Sequence, residues 1–246
     1  MEQRVQYQEL HADRIVETIG KLSRRIERRF PDSGLLRVSE KLSAIGRRAQ
    51  NQASWIARPI IGLRLAVGFL FVIILVGIMG TISSVDLPLA EVGFVEFVQT
   101  LEAGINDLVL IGVAVFFLIT LERRFKRHRA LQALHELRAV AHIIDMHQLT
   151  KDPDQFMWES RGMVPTEGKF TAVQLSRYLD YCSEMLSLLG KIAVLYVQRF
   201  DDPVALAAVN EIESLTTGLS RKIWQKLMIL HSGSLFETKS VASRGA

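Results

Sequence analysis

The sequence predicts an all-α protein in which two apolar helices form a transmembrane hairpin next to a helical bundle in water. Two uncharged apolar runs lie near the centre of the chain, and apolar residues recur with helical spacing on both sides of them. The sequence has no stretch of the apolar-polar alternation that is typical of strands. The 246 residues include 30 Lys and Arg, yet none of these lies between Leu65 and Leu121.

The first apolar run, Leu65–Ile82, has 18 residues and no charge. Ile60 and Ile61 extend it toward the length of about 20 apolar residues that a helix needs to cross a hydrocarbon core. Trp55 and Arg64 lie where residues that anchor a helix at the membrane interface are common. The alternative is a buried helix in a large soluble core, and the lack of polar positions disfavours it.

The second run, Leu108–Leu121, has 14 residues, a length that would also suit a core helix or a re-entrant helix. A start at Ile105 gives 17 residues. Such a helix is about 25 Å long and crosses a slightly thinned bilayer. Asp107 then lies in the first turn, where a carboxylate faces the positive end of the helix dipole. The basic segment Glu122–Arg129 ends the run abruptly, which favours a spanning helix.

Charge asymmetry predicts the orientation of the hairpin. The connector, residues 83–104, carries four acidic residues and no basic residue, whereas basic residues flank both runs on their other sides. Because basic residues next to spans stay in the cytoplasm, we expect a multi-pass protein of the inner plasma membrane with both termini cytoplasmic. The residues expected to contact anionic lipid headgroups are Arg123, Arg124, Lys126, Arg127 and Arg129.

These patterns divide the chain into four segments. We expect a cytoplasmic amphipathic helical segment over residues 1–57, the hairpin over 58–121 with an acidic outer loop over 83–104, a cytoplasmic helical domain over 122–231 and a disordered tail over 232–246. The first 30 residues are charged throughout, so we expect no cleavable signal peptide. The one cysteine, Cys182, excludes an intramolecular disulfide.

The N-terminal segment has two apolar stripes separated by the turn sequence Pro31–Gly34. The stripe residues are Ile15, Ile19, Leu22, Ile26 and Phe30 in the first helix and Leu35, Val38, Leu42 and Ile45 in the second. Their spacing of three and four residues predicts amphipathic helices. We expect these stripes to pack against the other cytoplasmic helices; a basic helix lying on anionic lipid is the alternative.

Three further helices are predicted after the second run. The first continues to Leu149 and ends before Pro153, and residues 154–170 read as a loop. The second begins at a capping box, Thr171–Gln174, and carries a coiled-coil seam. The third begins with Asp202 as N-cap and Pro203 at its first position, and Gly233 suits its C-terminal cap. The seam residues expected to mediate helix interactions are Leu175, Leu179, Leu186 and Leu189.

The histidines on the long helix are the strongest chemical candidates. His128, His135 and His142 are seven residues apart, or about 10.5 Å along the axis, which is too far for one metal ion. His142 and Asp145 remain weak candidates for half of a metal site, and the alternative is a hydrogen-bonded histidine layer. We expect no metal and no other cofactor.

Known catalytic and nucleotide-binding motifs are missing from the sequence. There is no phosphate-binding loop, no dinucleotide-binding glycine pattern and no nucleophile elbow. Cys182 lies on the apolar seam, where a thiol is inert. The basic segment after the second run is explained by its place at the membrane, so we expect no nucleic-acid binding.

These features favour a non-enzymatic, membrane-anchored scaffold or regulatory subunit that acts through its cytoplasmic helices. Two spans are a small membrane footprint, so we expect a homo-oligomer or a membrane-protein partner as well as contact with the lipid bilayer. One alternative is an oligomeric channel or transport accessory subunit with Asp107 at the pore mouth. Another is a metal-assisted enzyme centred on His142 and Asp145.

Overall fold

All regular structure in the described part of the chain is helical, as the sequence predicts. The computed structural model describes residues 9–57, 61–84, 94–151, 153 and 170–244. The helices are α1 (Ala12–Arg29), α2 (Gly34–Ala57), α3 (Ile61–Ser84), α4 (Phe94–Leu149), α5 (Ala172–Leu195) and α6 (Pro203–Arg244). The predicted loop over 154–170 lies almost entirely outside these residues.

The chain divides into two compact units. One unit combines Met1–Ala57 with Arg129–Ala246 and is called the bundle below; the other is Arg58–His128 and is called the apolar unit. The N-terminal segment therefore packs with the C-terminal helices in one unit, although the sequence treats them as separate segments. Helix α4 belongs to both units, because its backbone continues from Phe94 to Leu149 without a break.

Helices α1 and α2 form an antiparallel pair whose apolar stripes are buried. All nine predicted stripe residues lie in the core of the bundle. Between the helices, Asp32 adopts a positive φ of 58°, which Asp tolerates better than most residues. The Ser33 hydroxyl accepts a hydrogen bond from the Leu36 N–H at 3.1 Å, as an N-cap does. Because the core already covers the apolar face of α1, the alternative in which that face lies on lipid is wrong.

Helix α4 begins earlier than the sequence predicts. The expected outer loop over 83–104 is shorter, because α3 extends to Ser84 and α4 starts at Phe94. The predicted start at Ile105 is therefore wrong, and Asp107 lies well inside the helix rather than in its first turn. The physical reason is that residues 94–104 contain no proline, and their single glycine, Gly104, lowers helix stability without ending the helix.

The caps predicted for α5 and α6 are confirmed. Thr171 and Gln174 form a reciprocal capping box, with the Gln174 N–H donating to the Thr171 hydroxyl at 3.2 Å. The Asp202 carboxylate accepts hydrogen bonds from the N–H groups of Val204 and Ala205 at 3.1 and 3.0 Å. These bonds satisfy N–H groups that have no partner within their own helix.

The disordered tail expected over residues 232–246 stays a prediction, although the structure gives this segment a helical backbone as far as Arg244. Helix α6 continues through Arg244, so Gly233 lies inside the helix and does not cap it. Between Leu230 and Arg244 the sequence has one glycine, Gly233, and no proline, so nothing in this stretch bars the helical backbone. The polar composition of this segment indicates that its side chains pack weakly. Weak packing by itself does not prevent a helical backbone.

Contacts between side chains fix the directions of the helices in the bundle. Arg48 of α2 pairs with Glu136 of α4 at 2.8 Å, while Gly34 at the start of α2 lies against His147. Helix α2 and the last part of α4 are therefore antiparallel. Helices α5 and α6 follow each other through a short link and are antiparallel neighbours, as predicted.

The bundle has two distinct ends. At the exit end, the chain leaves the bundle at Ala57 and returns at Arg129. At the opposite end, called the turn end, the turn between α1 and α2 lies near the C-terminus of α4 and the N-terminus of α5. Phe30 contacts the ring of Tyr178 there, at 5.5 Å between centroids.

The apolar unit consists of α3 and the first part of α4. Most of its described large apolar side chains are exposed; Phe69 and Leu110, for example, are 69% and 76% exposed. By length and composition, one helix of the described residues can cross a membrane, within Phe97–Leu149 of α4, and a shorter apolar stretch lies at Gly68–Gly77 of α3.

The close approach at the turn end gives a first prediction. A Cβ added to Gly34 would overlap Cε1 of the His147 ring, far closer than any normal contact. We expect Gly34→Ala to lower the free energy of unfolding by about 1–3 kcal/mol, because the overpacked ring must shift. Urea unfolding of the full chain in mild detergent measures this change.

The matched control is Gly218→Ala in α6, where nothing lies within 4 Å of the added Cβ. This variant should be stabilised by up to about 1 kcal/mol, because alanine favours a helix. Equal effects of the two substitutions would contradict the packing described at Gly34.

Candidate functional site

The predicted helix seam lies inside the bundle. Leu175, Leu179, Leu186 and Leu189 are all buried, at most 3% exposed. Helix α5 contacts α1, α2 and α6, and its Tyr178 hydroxyl lies 3.4 Å from Nδ1 of His147 in α4. The structure thus gives these leucines an intramolecular role, and a partner could reach them only if the bundle opened.

The predicted histidine cluster does not converge. His128, His135 and His142 are exposed along α4. Among the described residues, no group of three His, Cys, Asp or Glu side chains is arranged to hold a metal ion. The Asp145 carboxylate accepts a hydrogen bond from Nε2 of Gln148 at 2.6 Å. The half-site of His142 and Asp145 therefore gains no further ligand from the described residues.

The basic segment after the second apolar run is not uniform. Arg123 and Arg124 are exposed, and Arg127 is half-buried. Lys126 is 8% exposed, and its ammonium lies 2.9 Å from the Glu122 carboxylate. Its ion pair with Glu122 makes Lys126 less accessible than the neighbouring arginines, and its headgroup contact stays a prediction.

The structure gives less information on two other predicted site residues, Arg129 and Asp107. Arg129 lies at the exit end of the bundle, beside a polar depression that Arg48, Glu136 and Tyr196 also line. Its headgroup contact stays a prediction. The side chain of Asp107 lies outside the described residues, so the pore-mouth prediction stays a prediction as well.

A polar cluster closes the turn end of the bundle. Lys226 of α6 donates to the backbone carbonyls of Gln148 and Lys151, at 2.7 and 3.2 Å. These carbonyls end α4, so the ammonium caps them and meets the negative end of the helix dipole. The Lys151 ammonium lies 4.5 Å from the ring centroid of Phe170. The Gln148 side chain is buried, and its Oε1 has no partner among the described residues.

Two titratable groups near this cluster, His147 and Cys182, favour their neutral forms. Burial lowers the pKa of the His147 imidazole, and the positive charges of Arg37 and Lys151 lower it further. Burial raises the pKa of the Cys182 thiol to about 12. At neutral pH the thiol is protonated and is a poor nucleophile, which agrees with inert packing on the seam.

A second feature, called the arginine groove, lies between α1 and α5. It is an open depression of about 480 Å³ lined by Arg25, Arg28, Arg29, Arg177 and Tyr181. Three of the arginines come from the last turns of α1, and the other two side chains are one turn apart on α5. No carboxylate lines the groove among the described residues.

The groove is partly preorganised. Two nitrogens of the Arg25 guanidinium donate to the Glu184 carboxylate at 2.9 and 3.1 Å. The same guanidinium lies over the ring of Tyr181, 5.1 Å from its centroid. The Tyr181 ring in turn contacts Phe30, with 6.2 Å between centroids. One wall of the groove is therefore fixed before any ligand binds, and such an arrangement of forked donors suits phosphate or carboxylate anions.

The sequence indicated only half of this groove. The arginines of α1 are visible in it as the polar face of an amphipathic helix, but Arg177 and Tyr181 carry no signal that links them to α1. They lie about 150 residues further along the chain. A pattern within one helix cannot report which side chains a second helix brings opposite to it.

No protein-family model, curated protein or solved structure matches this chain. The class of the protein is therefore taken from its own structure: the described residues form an all-α fold, and one of their helices is long and apolar enough to cross a membrane.

The location of the seam gives a second prediction. We expect Leu186→Ala to lower the free energy of unfolding by about 2–5 kcal/mol, because it leaves a cavity at a fully buried position. The loss should not change with protein concentration, because the contacts lie within one chain. Urea unfolding at several protein concentrations measures both properties.

Val173→Ala is the control on the same helix, because Val173 is 70% exposed. Its effect should stay within about 0.5 kcal/mol. A loss for Leu186→Ala that grows on dilution would show that the seam is an interface between chains.

Proposed function

We propose that this chain is an integral membrane protein with two spans and that its bundle acts as a non-enzymatic scaffold or regulatory subunit. Helices α3 and α4 form the hairpin, and both termini lie in the cytoplasm next to anionic lipid headgroups. A second copy of the chain or another membrane protein binds the bundle. The protein resides in the inner plasma membrane.

The two-span proposal rests on one observation about the bundle, namely which parts of the chain form it. Residues on both sides of the apolar unit pack in one core: Arg25 of α1 pairs with Glu184 of α5 at 2.9 Å, and Arg48 of α2 pairs with Glu136 of α4 at 2.8 Å. The two flanks must therefore lie on the same side of any membrane. The chain between Ala57 and Arg129 then crosses an even number of times.

The position of both flanks in one bundle supports α3 as the second span. If α4 crosses the membrane, another segment between the flanks must cross back, and α3 is the other helix described there. It has 24 residues, and its described side chains are mostly apolar and exposed. In water, so large an apolar surface would be very unfavourable, whereas in hydrocarbon it is the preferred exterior.

Charge supports the cytoplasmic position of the bundle. The segment between the apolar stretches carries acidic residues and no Lys or Arg, and the basic residues lie next to the outer ends of both helices. This is the distribution that the positive-inside rule describes.

The scaffold role is supported by the character of the bundle. Its ion pairs lie on the surface, and its buried groups are mainly apolar packing. Large apolar side chains also remain on its surface: Met146, Trp224 and Met228 are 63%, 61% and 51% exposed. Such residues are common where proteins bind each other.

The topology gives a third prediction, testable with single-cysteine labelling. Cys182 is a silent background, because it is buried and its pKa is raised to about 12. We introduce a thiol before the hairpin (Glu40→Cys), in its connector (Glu91→Cys) or after it (Ser214→Cys). A membrane-impermeant maleimide should label Glu91→Cys in intact cells, and the other two variants only after permeabilisation.

The three positions separate the alternatives. Labelling of Glu40→Cys and Ser214→Cys but not Glu91→Cys in intact cells would reverse the orientation. Labelling of only one of the two bundle positions would indicate a single crossing, which is incompatible with two flanks that share one core. The chain without an added cysteine is the control for background reaction.

The scaffold role gives a fourth prediction. After cross-linking in native membranes and mild solubilisation, we expect the chain in a stoichiometric complex larger than its own 27.7 kDa. Mass measurement and peptide identification show whether the partner is a second copy or another protein. A sample cross-linked only after dilution in detergent controls for chance collisions. A chain that stays monomeric in the membrane would contradict the role.

A further inference from the structure

The arginine groove brings together like charges that no element of the fold requires. In the last turn of a helix, basic residues are favoured by the dipole, which accounts for Arg28 and Arg29 at the end of α1. It does not account for Arg177, which lies on α5 and faces the same depression. Converging guanidinium groups from two helices repel each other unless an anion lies between them.

The carboxylates nearby leave part of this charge unmatched. Glu184 pairs with Arg25 at 2.9 Å, and Asp180 lies 3.7 Å from Arg177. In the part of the chain that the structure describes, no carboxylate pairs with Arg28 or Arg29. Nε of Arg28 donates a hydrogen bond to the Arg24 carbonyl at 3.3 Å. This hydrogen bond does not engage the two terminal nitrogens of the guanidinium group. The four arginines of the lining and the two carboxylates that pair with them thus leave an excess of two positive charges.

We propose that the arginine groove binds the phosphate group of an anionic ligand. A phosphate monoester carries about −1.5 to −2 charges at neutral pH, which matches the unpaired guanidinium groups of Arg28 and Arg29 better than a single carboxylate does. Guanidinium groups bind phosphate oxygens through paired hydrogen bonds. The volume of about 480 Å³ also accommodates more than one phosphate.

Each part of the groove has a defined role. Arg28 and Arg29 contact the phosphate from the α1 wall, and Arg177 contacts it from the α5 wall. Arg25, which Glu184 and Tyr181 hold in place, is the fixed donor that orients it. Helix α1 cannot withdraw from α5 to relieve the repulsion, because its apolar stripe is buried in the core. The site is therefore present before the ligand arrives.

The position of the groove bears on the source of the phosphate. The groove lies near the turn between α1 and α2, toward the turn end of the bundle, whereas the chain passes to the apolar unit at the exit end. Soluble phosphates and lipid headgroups share the chemistry that the arginines recognise. The experiment therefore has one arm for each source.

In the first arm, the full chain in phosphatidylcholine nanodiscs is titrated with inorganic pyrophosphate in a calorimeter. We expect saturable binding that weakens by about tenfold for each arginine removed, in Arg29→Gln and in the double variant Arg29→Gln with Arg177→Gln. The matched control is Arg221→Gln with Lys222→Gln, which removes two exposed positive charges on α6 and should bind as the unaltered chain does. Unchanged thermal unfolding shows that each variant keeps its fold.

In the second arm, the same nanodiscs are mixed with phosphatidylcholine vesicles that contain or lack phosphatidic acid, and co-flotation is measured. Groove-dependent pyrophosphate binding supports phosphate recognition with a soluble ligand. Groove-dependent capture by phosphatidic acid, without pyrophosphate binding, supports it with a lipid headgroup. Absence of both, or equal binding by the groove variants and the unaltered chain, overturns the proposal. None of these outcomes depends on the proposed scaffold role.

Discussion

The burial of α5 is the interaction on which the rest of the bundle depends. This helix is apolar on most of its circumference, so it must be surrounded rather than laid on a surface. Helices α1, α2 and α6 contact it directly, and α4 reaches it through His147. Each fully buried leucine contributes about 1.5–3 kcal/mol from the removal of apolar surface from water. The burial of these leucines holds together segments that are far apart in the chain.

The core of the bundle also constrains the apolar unit. Since the flanks of the apolar unit share one core, the path between them has to begin and end on the same side of any barrier. Neither the length of α3 nor that of α4 alone imposes this condition. The packing of the bundle thus limits how many times the apolar unit could cross a membrane, a number that is usually inferred from hydropathy and charge.

The charged groups of the bundle lie mainly at its ends and on its surface, where water or a helix terminus can satisfy them. Lys226 caps the end of α4, and Asp202 caps the start of α6. The arginine groove differs from these places because its charges exceed their partners among the described residues. An excess of one charge sign on a preorganised wall costs stability unless a ligand offsets it.

Much of the fold could be read from the sequence, because the responsible signals are local. The apolar stripes of α1 and α2, the capping box at Thr171 and the cap at Asp202 each depend on residues within one or two helical turns. The misplaced boundaries share a physical reason. The start of α4 and the extent of α6 lie where no proline stops the helix, and composition alone does not end a backbone hydrogen-bond ladder.

The sequence by itself determined the helical class, the apolar stretches and the charge asymmetry around them. Only the tertiary structure decided that the α5 seam is an internal core and that the flanks form one unit. It also decided that Arg177 and Tyr181 face the arginines of α1. The physical reason is that burial and charge proximity are properties of pairs of helices. A periodic pattern shows that a helix has an apolar face, but which neighbour covers that face depends on how all of the helices pack together.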